Sequence, residues 1–491
     1  MPELARLTDD EETPRNPKTP DHIQGTSDDT LAVSYADQHA DQIRYIGQWN
    51  RWMLWNNTHW AFDHEMRTYS YAREHVRNLA KNISDKLYRA KCDDIPPTES
   101  LDARKERMRN ARAEARRAVK TMLSSRTIHA VAALARYDPR IASNVDQWDR
   151  DPWLLNTPSG TVDLKTGTMR GHRHLDYITK ATAVGPENKA PELWLSFLRT
   201  IMQDDDTMIR YLQKIFGYCL VGDPKEHEMY FAYGTGRNGK GTVTNAMRGL
   251  MGNYGCEANI ETFTINDSAR HPTELADLRG ARLVTCGEVD EGQRWAEARI
   301  KQLTGGDPIK ARFMRQDFFE YQPQFKLFIS GNHKPKLSNV DPAIEARFRL
   351  IPFTHHVLPQ DRDKNLGTKL QAEWPRILNW AIEGCLLWQS EGLTPPTVVA
   401  EATSSYLSQE DAISAWLNEC CDRSEDSFEY IADLFKSWET WARDNGEAVG
   451  SKRQFSRLLE DREPLLRIRR GRRESGLGFH GIELLTPPKD K

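Results

Sequence analysis

The stretch from Met229 to Gly249 reads MYFAYGTGRNGKGTVTNAMRG. An apolar run (Met229 to Tyr233) precedes a turn with Gly234, Gly236 and Gly239, then Lys240 and a segment able to start a helix. Strand, glycine loop and helix in that order suit a triphosphate. Glycines let backbone N–H groups close on the phosphates, the helix N-terminus faces them, and the lysine adds a point charge. The pattern departs from the usual one after the lysine, where the Ser or Thr that should hold Mg²⁺ is Gly241 and Thr242 follows one residue later. The candidate nucleotide contacts are Gly234, Gly236, Arg237, Asn238, Gly239, Lys240, Gly241 and Thr242. An ordinary glycine-rich turn is the competing reading, and the rest of the chain decides between them.

At 491 residues, with 38% hydrophobic and 28% charged residues, the chain reads as a soluble protein of about three or four domains. No apolar run is long enough to span a bilayer, and the opening MPELARLTDDEETPRNPKTP lacks a signal-peptide pattern, so a cytoplasmic location and no membrane partner are expected. The seven cysteines form neither a CxxC pair nor a zinc-spaced cluster. A net charge of −3 excludes a protein coated in basic residues, so nucleic-acid contact has to come from local patches.

Downstream of the loop, helix and strand patterns alternate over about a hundred residues, as in a parallel sheet with flanking helices. The post-loop helix is expected to end near Leu250, followed by a polar excursion (Cys256 to His271), a short helix (Thr273 to Asp277) and the strand before Gly287-Glu288-Val289-Asp290-Glu291. An apolar strand ending in acids is where such a fold places carboxylates for Mg²⁺ and water. A helix (Trp295 to Leu303) then leads to Gly305-Gly306-Asp307-Pro308 and IKARFMRQDFFEYQP, a hairpin pattern with a positive tip. A buried strand (Phe325 to Ser330) runs to Asn332, and Arg347 and Arg349 flank the apolar run before Phe353. Singly, Asn332 suits a turn and Arg347 a surface ion pair; their order after the glycine loop is what points to a nucleotide-hydrolysing site.

Upstream, residues 1–30 lack apolar periodicity and are expected to be a disordered tail. Trp49, Trp52, Trp55 and Trp60 lie in a hairpin pattern beside a helix (Tyr71 to Lys86) and suit a small α/β core better than a row of base-stacking rings. Leu101 to Arg126 is a helix pattern with nine basic and three acidic residues, a positive stripe that is most simply a solvated face. A helix at Ile128 to Arg136 follows, then short strands around Pro158-Ser159-Gly160 and Lys165-Thr166-Gly167, and two amphipathic helices up to Val221.

With these elements in place, the region from about Val145 to Cys421 resembles the helicase part of phage and plasmid primase/helicase proteins, superfamily 3 helicases within the AAA+ ATPases. The resemblance rests on LLNTPSGTVDLKTGTM, LQKIFGYCLVGD, YGTGRNGKGT, GEVDEGQRWAEARIKQLTGGDPIKARFMRQ, FKLFISGNHKP, RFRLIPF and ILNWAIEGCLLW. It implies an α/β fold: a P-loop ATPase core with a mostly parallel sheet at 225–358, after an N-terminal α/β module (31–144) and a strand-turn and helical collar (145–224). Helices at 359–425 would pack on the core. It implies ATP and Mg²⁺ as cofactors and a loop from Gly236 to Gly241 that, with Lys240, holds the β- and γ-phosphates. Glu288 would polarise the attacking water, Thr242, Glu288 and Asp290 would be the candidate metal side chains with Glu291 an alternative acid, and Asn332 would act as sensor. Arg347 would reach a neighbouring subunit's ATP, with Arg349 as its understudy. Lys301, Lys310, Arg312 and Arg315 would belong to a basic motif whose hairpin grips one DNA strand in a channel. By a further resemblance to adenylate kinases, which share the Gly-Lys-Gly-Thr run, Mg²⁺ would be held largely through water while Thr242 meets the α-phosphate.

The C-terminal segment, 426–491, reads as helix (Glu429 to Asn445), helix capped by Ser451, and two strands joined by an arginine-rich turn, which resembles a winged helix that binds DNA. The expected whole is a homo-hexameric ring of a phage, prophage or plasmid replicative helicase in a bacterial host, on single-stranded and forked DNA, with any primase or polymerase supplied separately. An ATP-regulated DNA-binding initiator or loader is the rival reading, and a small-molecule phosphotransferase a third. No zinc-binding or other primase site shows in the N-terminal third.

Overall fold

The structure is a computed structural model that describes residues 26–93, 100–265, 273–287, 292–314, 317–337, 340–410, 412–424, 427–447, 449–460, 468–473 and 476–485. The expected tail falls mostly outside them. The chain divides into two compact units: one comprises Met1–Arg150 with Arg173–Thr179, the other Asp151–His172 with Lys180–Lys491.

In the first unit the opening helix, Asp28–His39, begins slightly before the point that composition suggested, because Ser27 caps it by accepting from Thr30 N at 3.2 Å. Strands Ile43–Ile46, Arg51–Trp55, Trp60–Phe62 and Ala142–Ser143 form one sheet, with helices Arg67–Asp93, Leu101–Met122 and Ser125–Leu134 beside it. The long basic pattern from Leu101 is broken where Ser124 starts a new helix by accepting from Thr127 N. Trp52 and Trp60 are buried, and Arg136 lies 4.8 Å from the Tyr45 ring and 5.9 Å from that of Trp52, so these tryptophans build core.

The second unit is organised on a five-stranded parallel sheet in the order Phe348–Pro352, Met229–Tyr233, Lys326–Gly331, Leu283–Cys286, Gly255–Ala258. Period-2 alternation divides its side chains between two cores. Tyr230, Ala232, Leu283, Phe328 and Ile351 face one, which includes helices Glu192–Met202, Asp206–Leu220, Lys240–Leu250 and Leu366–Glu391. Phe231, Val284, Leu327, Ile329 and Leu350 face the other. The expected polar excursion from Cys256 contains most of one edge strand of this sheet, Phe348–Pro352 being the other. Gly255–Ala258 pairs on one side only and is half-exposed, so its residues carry no apolar run to announce it.

Antiparallel strands Leu154–Thr157, Gly160–Asp163 and Thr168–Arg170 form the small meander expected around the Pro-Ser-Gly turn. After helices Thr397–Glu410 and Ala412–Cys420, the C-terminal residues build helices Ile431–Asp444 and Lys452–Glu460 against a three-stranded antiparallel sheet of Phe428–Tyr430, Gly476–His480 and Arg469–Arg473. Ser451 caps the second helix as expected, accepting from Gln454 N at 3.3 Å, while Gln454 Oε1 accepts from Ser451 N at 2.9 Å.

Candidate nucleotide site

The glycine loop leaves the carboxyl end of Met229–Tyr233, the position where open parallel sheets bind ligands. Its backbone turns through left-handed conformations at Gly236 (φ +89°), Arg237 (φ +54°) and Gly239 (φ +87°). A side chain at Gly239 would strike Ile201, with a Cβ only 2.7 Å from Cγ2, so the loop rests directly on helix Glu192–Met202. That helix starts after Pro191 without a side-chain cap of its own, and Glu373 from helix Leu366–Glu391 accepts from Trp194 N at 3.0 Å instead. Asn238 is buried and donates through Nδ2 to Phe353 O at 2.8 Å, and Val357 N donates to Arg237 O at 3.1 Å. The supports at Ile201, Phe353 and Val357 carry no local motif and were invisible in the sequence.

Lys240 opens the following helix, Lys240–Leu250, and is buried. Its amine donates to Gly234 O at 2.7 Å, Asn238 Oδ1 at 3.0 Å and Asn332 Oδ1 at 3.3 Å. Asn332 follows directly on the adjacent parallel strand Lys326–Gly331, and it is exposed at the mouth of the loop. Two sequence-predicted residues 92 positions apart are thus brought together. Thr242 is half-buried in the first helical turn, and a Cβ at Gly241 would meet nothing within 4 Å. Glu288, Asp290 and Glu291 lie outside the described residues. Among the described residues no group of three His, Cys, Asp or Glu side chains is disposed to hold a metal.

The two arginines sit at the other end of the sheet. Phe348 pairs with Met229, so Arg347 and Arg349 flank the amino end of the strand whose carboxyl end carries the loop. Arg347 closes the short helix Pro342–Arg347 and donates to Thr304 Oγ1 at 3.1 Å and Ala343 O at 2.8 Å. Arg349 instead pairs with the buried Glu228 at 2.7 Å. Burial pushes the Glu228 carboxyl up to about 7, against the pull of Arg349 and of Tyr230, whose hydroxyl donates to it at 3.1 Å.

Of the four expected DNA contacts, Lys301 forms an ion pair with Asp341. Asp341 also caps the Arg347 helix, accepting from Ile344 N at 2.9 Å, so helix Glu297–Thr304 is braced to that helix by Lys301–Asp341 and by Thr304–Arg347. Lys310 and Arg312 stand exposed on or beside the hairpin Ile309–Ala311/Phe319–Tyr321, 5.4 and 4.8 Å from the ring of Phe318. Phe318 is itself half-exposed. Arg315 lies outside the described residues.

Residues 32–203 match a family model described as D5 N terminal like, and residues 232–347 match one described as a family of unknown function, DUF5906. A protein of Acanthamoeba polyphaga mimivirus named as a putative helicase is 25% identical over 336 residues, covering 63% of this chain and 34% of its own. One of Frog virus 3, named likewise, is 24% identical over 301 residues, covering 55% of this chain and 30% of its own. The chain therefore spans about a third of the length of the curated relatives it matches. A solved structure of the NrS-1 C-terminal region aligns over 90% of this chain and 87% of its own, at 10% identity and a TM-score of 0.48, a likeness too distant to carry an argument. By its family models and viral relatives, the chain is similar over part of its length to viral proteins named as putative helicases.

Proposed function

We propose that the chain is the motor of a replicative DNA helicase, an AAA+ ATPase of superfamily 3 that hydrolyses ATP to move along single-stranded DNA as a ring. The observation that carries this is the meeting of Lys240 with Asn332 above the glycine loop, at the carboxyl ends of adjacent parallel strands. In this reading the loop amides and the Lys240 amine hold the β- and γ-phosphates, and Asn332 positions the attacking water. Glu288 accepts its proton. Mg²⁺, when bound, would neutralise charge between the phosphates. Thr242 and Asp290 are the side chains we assign to it, and the first helical turn is open enough at Gly241 to leave room for metal-bound water.

Arg347 suits a neighbour's ATP better than its own. The strand Met229–Tyr233 separates it from the loop by about 13 Å, taking roughly 3.3 Å per residue. A ring, most simply a hexamer, follows from that assignment. The exposed Lys310 and Arg312, with Arg315, would grip a DNA strand in its channel.

The basic C-terminal elements, which include a recess of about 1090 Å³ lined by Lys452, Arg453, Arg457 and Arg470, with Glu460 paired to Arg470 and Asp433 beside them, favour a winged-helix DNA contact and keep a second reading alive, an initiator or loader that binds DNA without unwinding it. One experiment separates them: ATP hydrolysis with and without single-stranded DNA, strand displacement on a forked duplex, and mass measurement of the assembly. DNA-stimulated hydrolysis with displacement by a ring supports the helicase. Nucleotide-dependent assembly on DNA without displacement favours the loader.

A further inference from the structure

The helix Leu101–Met122 is not used by the nucleotide site. It buries Ala111, Ala115 and Met122 and exposes most of the rest. At about 100° per residue, Lys105, Arg109, Arg116 and Lys120 fall within an arc of about 60°, centred about 130° away from the buried side. All four are exposed, and they extend along about 22 Å of helix. Arg112 lies at the edge of the same arc. Of the three acids in the helix, Glu106 and Glu114 point elsewhere. Asp102, also at the arc's edge, lies 3.9 Å from Lys105 with both side chains largely solvated, a pairing worth little.

We infer that this stripe is a second nucleic-acid contact, for the sugar–phosphate backbone of duplex DNA. The composition of the arc selects the partner. Between Lys105 and Lys120 it has no side chain more apolar than Ala113, and the exposed Leu123 lies only at its end, whereas a protein-binding face needs an aromatic or aliphatic centre and a membrane-lying helix needs an apolar side. It has no aromatic ring either, so it lacks the stacking platform on which single strands are held. What remains is a straight row of cations, which matches a polyanion of high charge density, and a duplex carries one charge per about 1.7 Å of axis. The contact is expected to be independent of sequence, as contacts to phosphate are. It does not rest on the ATPase reading.

The test is duplex binding by the full chain without nucleotide, followed by fluorescence anisotropy between 50 and 200 mM salt. Lys105→Ala/Arg109→Ala/Arg116→Ala is expected to weaken binding and make the slope of log K against log salt shallower by about 2.7, three contacts at about 0.9 each, for any duplex sequence. Arg104→Ala/Arg117→Ala, off the arc, should leave the slope unchanged. Matching melting curves establish that both variants fold. An unchanged slope in the folded triple variant overturns the inference, as does an equal effect of the control pair. Loss confined to single-stranded DNA also overturns it. Because no ATP is present, failure of hydrolysis or of unwinding would leave this result untouched.

Discussion

The amine of Lys240 donates to Asn332 Oδ1 across 3.3 Å, joining the loop after one strand to the end of the strand beside it. Lys240 is buried and Asn332 exposed, so the two should fail differently. Lys240→Ala is expected to abolish ATP binding. Asn332→Ala should bind ATP nearly normally and lose about 10²-fold or more in turnover, the usual effect of removing a group that acts mainly in the transition state. Nucleotide titration beside steady-state hydrolysis reads both, and unimpaired turnover of Asn332→Ala would remove it from the site.

The two glycines that flank Lys240 carry opposite constraints. Gly239→Ala places a Cβ 2.7 Å from Ile201 at a φ of +87° and should cost about 1–3 kcal/mol of stability together with nucleotide binding. Gly241→Ser meets nothing within 4 Å and relieves a glycine inside a helix, so thermal melting should show equal or slightly raised stability. Thr242→Ala should harm hydrolysis more than binding. If it is silent in both, the assignment of Thr242 to the metal is wrong.

Arg347 and Arg349 are separable by stability. Arg349→Ala leaves Glu228 buried without its cation and is expected to cost about 3–5 kcal/mol in chemical denaturation above about pH 8, where that carboxyl is ionised. Arg347→Ala loses hydrogen bonds to Thr304 and Ala343 and should cost about 1–2 kcal/mol while reducing hydrolysis about 10³-fold. Mixed with Lys240→Ala subunits, Arg347→Ala subunits should recover hydrolysis, because each supplies what the other lacks. No recovery in a mixed ring would argue that Arg347 does not act across subunits.

Glu228 makes stability depend on pH. Its carboxyl is pushed up to about 7 from its ordinary 4.5, first by burial, so between those values the folded chain keeps a proton that the unfolded chain releases. Stability from this group is present below about 4.5 and is lost as pH rises through about 7, by at most about 3 kcal/mol. Glu228→Gln keeps an oxygen for Arg349 and Tyr230 and should flatten that decline in denaturation curves taken at pH 5 and 7.5. A parallel decline in both proteins would show that Glu228 is not its source.

The order of elements was legible along the chain because each carries its own local chemistry: positive-φ glycines for the loop, an apolar run for each central strand, Ser451 for the C-terminal helix. The edge strand Gly255–Ala258 was not, since a strand paired on one side and half-exposed needs no apolar run. Nor were the loop's supports at Ile201, Phe353 and Val357, which lie 38 residues before and over a hundred after Gly239.

By itself, then, the sequence marked which side chains are candidates for binding phosphate, because glycine freedom and a lysine at fixed spacing are local properties. Only the tertiary structure decided which residues share a site. Parallel pairing sets Asn332 beside Lys240 and holds Arg347 at the opposite end of the same strands. It also distinguishes Arg349, committed to Glu228 by burial, from a neighbour two residues away that the sequence cannot tell apart from it.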